Sequence, residues 1–189
     1  SQVDTDGLKL WAEKPYNLVR TYKFIGGPIM TARTINDWLT EYGASHKNPT
    51  NKKLHFICVP LIFFSVVGLL WSIPMPQAVA EIPFANLATL SLLFIIGYYA
   101  RLSRNIMLGM VAFSAACLAV FYALDGAGVN ILYTSIAIFV LAWIGQFIGH
   151  EIEGQKPSFF KDLQFLMIGP AWIMGYLYRR MGIRYEPAR

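Results

Sequence analysis

At 189 residues the chain is long enough for one soluble core, but 56% of it is hydrophobic and only 14% charged, too little polar surface to clothe that core in water. The net charge of +5 does not point to nucleic acid, because the Lys and Arg residues sit at the ends of apolar blocks and in the tails, where they suit a membrane surface, and no basic stripe is interleaved with aromatics. Both cysteines, Cys58 and Cys117, fall inside apolar blocks and read as small packing residues rather than a disulfide.

Residues 1–45 read as a cytoplasmic arm that ends in an interfacial helix, and residues 46–189 as a membrane-embedded helical domain. The arm mixes charges with Trp11, Tyr16, Tyr22 and Phe24, and its polar, acidic start is unlike a cationic signal-peptide opening. From Thr31 to Ala44, Ile35, Trp38, Leu39 and Tyr42 recur at intervals of three and four, which predicts a short helix with one apolar stripe lying in the interface. Pro49 breaks that helix, and Asn51 is placed to cap the next one.

Four apolar blocks follow, Leu54–Trp71, Phe84–Ala100, Ile106–Leu124 and Ile131–Gly149, each close to the roughly 20 residues that a spanning helix needs. Basic charge alternates between the connections: Lys47, Lys52 and Lys53 precede the first block and Arg101 and Arg104 divide the second from the third, while the other two loops carry no Lys or Arg. The positive-inside rule then places the N-terminus, the Arg101/Arg104 loop and everything from His150 onward on the cytoplasmic side of a bacterial inner membrane or the endoplasmic reticulum. A fifth block, Leu163–Tyr178, is shorter, contains Gly169-Pro170 and is followed by Arg179, Arg180, Arg184 and Arg189. Crossing would send those charges outward, so the expectation is a re-entrant or interfacial helix, with five spans as the alternative. The predicted fold class is all-α: a polytopic membrane bundle of four transmembrane helices plus that last helix.

The three histidines are the chain's whole supply of imidazole. His46 precedes the first span, His55 sits in its first turn and His150 ends the fourth, so an even number of crossings returns them to one face. Nine residues separate His46 from His55, which would put them on opposite faces of one straight helix. The break between Asn48 and Asn51 lets His46 fold back. Gln146, His150 and Glu153, four and then three apart, share a helical face. Gly145 and Gly149 form a GxxxG pair that admits a close neighbour. A lone interfacial histidine most often snorkels or binds a backbone carbonyl. Three of them converging, with Asn48, Asn51, Gln146 and Glu153 beside them, predict a shared metal site, and N and O ligands with open positions suit iron(II). Glu153 could ligate, orient a ligand or carry a proton. Lys52 and Lys53, with Asn48, are candidate contacts for a lipid carboxylate, anchoring to anionic headgroups being the two lysines' alternative role. Trp71, Trp143 and Trp172 read as belt or packing residues, and Pro60 and Pro170 as kinks.

Two motifs, Glu41-Tyr42-x3-His46-x4-Asn51-x3-His55-x4-Pro60 and Gln146-x2-Gly149-His150-x2-Glu153-x3-Pro157, resemble those of the Mpo1-like family, and the similarity runs from Trp38 to about Pro170. Cys58 stands where many members have Gly, and Ser158 where Ala is usual. The resemblance implies an iron(II)-dependent dioxygenase of fatty acid α-oxidation, which shortens 2-hydroxy fatty acids by one carbon using O2. It implies His46, His55 and His150 as iron ligands, supported by Glu153, Gln146 and Asn51. A di-iron hydroxylase needs roughly eight such ligands, more than this chain offers. The remaining alternatives are a non-catalytic lipid-binding or scaffold protein with a structural metal and, from another class, a small transporter, for which mid-membrane charges are lacking. Oligomeric state is not legible.

Overall fold

A computed structural model describes residues 34–44, 46–154 and 167–185, and among these the secondary structure is seven helices and no strand. The arm before Thr34, the acidic start, Pro157 and Ser158 lie outside the described residues. The first helix, α1, is Ile35–Ala44. It opens on a reciprocal cap, in which the Thr34 amide and hydroxyl donate to the Asp37 carboxylate while the Asp37 amide donates to Thr34 Oγ1.

Next come α2, Pro49–Trp71, and the single turn α3, Gln77–Ala80. Asn48 rather than Asn51 caps α2, its Oδ1 accepting from the amides of Thr50 and Asn51. The helix starts early because Pro49 occupies its first position, where the missing N–H is no loss and φ is preset. Asn51 is thereby drawn into the helix and fully buried. Pro60 sits inside α2 and leaves the Phe56 carbonyl without its helical donor.

Then α4, Leu87–Leu102, and α5, Arg104–Gly126, are divided by Ser103 alone, whose extended backbone ends one helix and whose Oγ accepts from Ile106 to start the other. Asn86 caps α4 from its side chain, so the apolar residues just before it are loop and the helix is 16 residues, roughly 24 Å at 1.5 Å per residue. The sixth helix, α6, is Ile131–Glu153, and Gly154, at φ 71°, closes it in the left-handed conformation that glycine adopts without strain. Last is α7, Ile168–Arg180.

Three of these, α2, α5 and α6, are 23 residues each and are long and apolar enough to cross a membrane, while α4 is apolar but shorter. Their outward faces carry large exposed apolar side chains such as Phe94, Leu141 and Phe147, a surface that needs an apolar surround.

The principal pair is α2 with α6, which run antiparallel. Glycine sets their closeness: a Cβ on Gly149 would collide with Asn51 Oδ1, one on Gly145 with Cys58 Sγ, and one on Gly68 with Ser135 and Phe121. The GxxxG pair therefore faces α2. Cys58 fills the room that Gly145 leaves, and both cysteines are buried and free.

The stripe of α1 is not left for an interface. Ile35, Leu39 and Tyr42 are buried in the main core, and α7 covers them. A sequence pattern cannot tell a lipid from a neighbouring helix as the partner of an apolar face. At 13 residues, roughly 20 Å, α7 is shorter than the roughly 20 residues of a spanning helix. It starts inside the bundle, where the Met167 carbonyl accepts the Tyr99 hydroxyl, and runs toward the end where α2 begins, where the Tyr178 hydroxyl donates to the Asn105 carbonyl at 2.8 Å. Ser103 Oγ then donates to the carbonyl of Tyr185. Pro170 makes no kink here, because it lies in the first turn of α7, where no amide is needed. Trp172 belongs to no belt: it is a core residue between α1 and α2.

Candidate metal centre

His55 lies in the second turn of α2, 2% exposed, its ring held toward α1 and α6. The loop before Pro49 carries His46 back over it, so the two ring centroids stand 4.2 Å apart in an edge-to-face arrangement. His150, in the last turn of α6, brings its ring centroid to 5.3 Å from His55 and 6.1 Å from His46. Two imidazoles bound to one ion hold their centroids about 5 Å apart when metal–nitrogen bonds are about 2.1 Å, and the three separations bracket that figure. Among the described residues no group of three or more His, Cys, Asp or Glu side chains is placed to hold a metal ion as the side chains stand.

One residue of α1 engages two of these rings. The Nδ1 atom of His46 lies 2.6 Å from the Tyr42 carbonyl oxygen, and the Nδ1 atom of His55 lies 3.2 Å from the Tyr42 hydroxyl. The phenol ring also stacks on His46 at 4.2 Å with 16° between planes. Trp172 closes the other side, with ring centroids 5.8 Å from His46 and 5.5 Å from Tyr42. His55 Nε2 is buried with no hydrogen-bond partner. Burial holds His46 below its ordinary pKa, with the nearby His150 adding to that effect and the Tyr42 carbonyl opposing it. A neutral imidazole is the form a metal accepts.

Glu153 holds the loop rather than standing among the rings. Its carboxylate accepts from the amides of Lys47 at 2.7 Å and Asn48 at 2.9 Å, and from Asn51 Nδ2 at 2.9 Å. These donors cluster at the start of α2, where orphan N–H groups and the helix dipole favour a carboxylate. The same contacts engage Asn48 and Asn51: one caps α2, the other ties α2 to Glu153. Gln146, one turn before His150, is buried and its Oε1 finds no hydrogen-bond partner. Lys52 is partly buried at the same helix end, and Lys53 is exposed.

A family model described as 2-hydroxy-palmitic acid dioxygenase Mpo1-like matches residues 32–181, spanning every helix described above. The chain belongs to the Mpo1-like family. It is 31% identical over 137 residues to the 2-hydroxy-palmitic acid dioxygenase MPO1 of Saccharomyces cerevisiae, an alignment covering 70% of this chain and 73% of the yeast protein. No solved structure matches it.

Within this Mpo1-like chain, Tyr42 and Trp172 are site-lining residues that sequence reasoning did not single out. Tyr42 counted as part of an apolar stripe and as a member of the first motif, with no role assigned to it. Its spacing of four from His46, across a helix end, was the available signal, since a helix's last carbonyls lack internal donors. No local signal marks Trp172, because the contact exists only once α7 packs against α1.

Proposed function

We propose that this Mpo1-like chain is an iron(II)-dependent dioxygenase that cleaves one carbon from 2-hydroxy fatty acids. The observation that carries the reading is the meeting of His46, His55 and His150, drawn from a loop and two helices, together with a buried His55 Nε2 that has no hydrogen-bond partner. A buried polar atom without a partner is costly, and a metal bond would satisfy it. The donor set fits in kind: three imidazoles, with burial holding His46 below its ordinary pKa. Iron(II), when bound, supplies the redox chemistry with O2 by which the C1–C2 bond of a 2-hydroxy acid is cut.

The protein's own part is to hold and orient. The three histidines bind the ion, Tyr42 and Glu153 fix the rings and the loop, and Asn51 links α2 to α6. Gln146, one turn deeper on α6, offers its carboxamide oxygen to the substrate's hydroxyl. Lys52 and Lys53, at the rim, attract the carboxylate, while the acyl tail lies among the helices. In this reading α2, α4, α5 and α6 all cross a membrane with the N-terminus on the cytoplasmic side, and α7 re-enters without crossing.

The test is metal analysis and product formation with a 2-hydroxy fatty acid. The purified protein should contain about one iron per chain, and His150→Ala should lose both iron and product. Full turnover by that variant would refute the assignment. Bound iron without oxygen uptake would favour a lipid-binding protein with a structural metal.

A further inference from the structure

We infer that Tyr42 is a positioning residue that presets which ring nitrogen two of the three histidines present, through its main chain for His46 and its side chain for His55. The metal-binding half of this inference rests on the function proposed above, whereas the ring-setting half stands without it.

The assignment follows from counting donors and acceptors at the end of α1. Tyr42 is among the last four residues of that helix, whose carbonyls have no amide to accept from within it. The His46 imidazole supplies the missing donor four residues on, at 2.6 Å. A carbonyl oxygen has lone pairs only, so His46 must carry its proton on Nδ1, and its lone pair lies on Nε2. Stacking of the phenol on the same ring at 16° holds the imidazole plane in place.

His55 is fixed by the other end of the same side chain. The Tyr42 hydroxyl reaches its Nδ1 at 3.2 Å. A hydroxyl can donate or accept, so the choice falls to the environment of Nε2. That atom is buried without a hydrogen-bond partner, and an N–H left there would be a donor with nothing to receive it. The favoured arrangement has Nδ1–H donating to the phenol oxygen, which leaves a lone pair on Nε2. The phenol cannot easily swing away, since Gly169 of α7 packs against it so closely that a Cβ there would come within 3.2 Å of the hydroxyl. One residue thus directs the Nε2 lone pairs of two rings whose centroids are 4.2 Å apart. A hydrogen bond of this kind, to the nitrogen that does not bind metal, sets ring orientation and raises ligand basicity.

The chain has three histidines, so ¹⁵N-histidine labelling of the full-length protein in detergent, kept metal-free, gives three imidazoles to read. Single His→Gln variants assign them. The expected result at neutral pH is a proton on Nδ1 of His46 in the parent and in Tyr42→Phe alike, because its acceptor is main chain. The ring resonances of His55 should move in Tyr42→Phe, which removes only the hydroxyl. A proton on Nε2 of His46, or His55 resonances indifferent to Tyr42→Phe, overturns the inference.

A second measurement titrates Co(II), a visible-absorbing stand-in for iron(II). Tyr42→Phe should weaken binding by roughly 10- to 100-fold and shift the absorption band. Tyr176→Phe, at a ring that packs on Phe56, should leave both unchanged. Parent-like Co(II) affinity in Tyr42→Phe would overturn the positioning role. If the parent takes up no Co(II) while the tautomers are as expected, the metal reading falls and the ring-setting stands.

Discussion

At the scale of single residues, the site depends on what is missing as well as on what is present. Gly149 lets Asn51 lie against the backbone of α6, and Asn51 is the side chain that joins α2 to Glu153. A methyl group at 149 must displace the amide or part the two helices. Gly149→Ala should therefore destabilise the folded protein by about 1–3 kcal/mol, the usual cost of overpacking, and should weaken metal uptake because the histidines ride on those same helices. Unfolding in a denaturing detergent titration, compared with Gly97→Ala, checks this: Gly97 faces open space, so its alanine should be neutral or slightly stabilising. Equal stability of the two variants would show that the close approach at Gly149 has no energetic weight.

At the scale of elements, the centre is assembled where three chain segments end. The start of α2 carries His55, the end of α6 carries His150, and the linker between α1 and α2 carries His46. A free linker would spend its conformational entropy each time His46 had to be placed. Glu153 removes that freedom by accepting from two amides of the linker while sitting one turn from His150. Glu153→Ala should leave the helical content unchanged by circular dichroism yet lower metal affinity by about 10–100-fold, the range typical for losing an outer partner of a ligand. Glu153→Gln keeps a hydrogen-bond acceptor and should lose less. If Glu153→Ala bound metal like the parent, the linker would be held by something else.

At the scale of the whole molecule, four antiparallel helices return the chain to the end from which it started, and α7 brings residues up to Tyr185 back to that end as well. In a membrane this predicts one sidedness for the metal centre, the α4–α5 junction and the tail. Single cysteines at the exposed positions Lys47→Cys, Arg104→Cys and Arg184→Cys should react with an impermeant thiol reagent from one side only, and Gln77→Cys and Ala127→Cys from the other. The native thiols of Cys58 and Cys117 are buried and serve as a low background. Labelling of Arg184→Cys from the side of Gln77→Cys would mean that the last segment crosses.

The apolar blocks, their helical nature, the GxxxG contact and the meeting of three histidines at one end were legible in the sequence, because each rests on short-range rules: block length, helical periodicity, and an even count of passes between His55 and His150. Helix ends were less legible. Whether Asn48 or Asn51 caps α2, and whether the residues before Leu87 join α4, turns on one or two hydrogen bonds that several neighbours compete to make. Beyond sequence reasoning lay every contact that needs two distant segments to dock. The stripe of α1 had a visible width but no visible partner, and only packing against α7 revealed that Tyr42 faces His55 instead of lipid. Glu153 was open in the sequence between ligating, orienting a ligand and carrying a proton, and only the docking of the start of α2 shows which N–H groups its carboxylate accepts from. Periodicity is a property of one segment and can be read along a chain. The partner that satisfies a given nitrogen or oxygen is fixed only when two segments close on each other, and tertiary structure alone decides that.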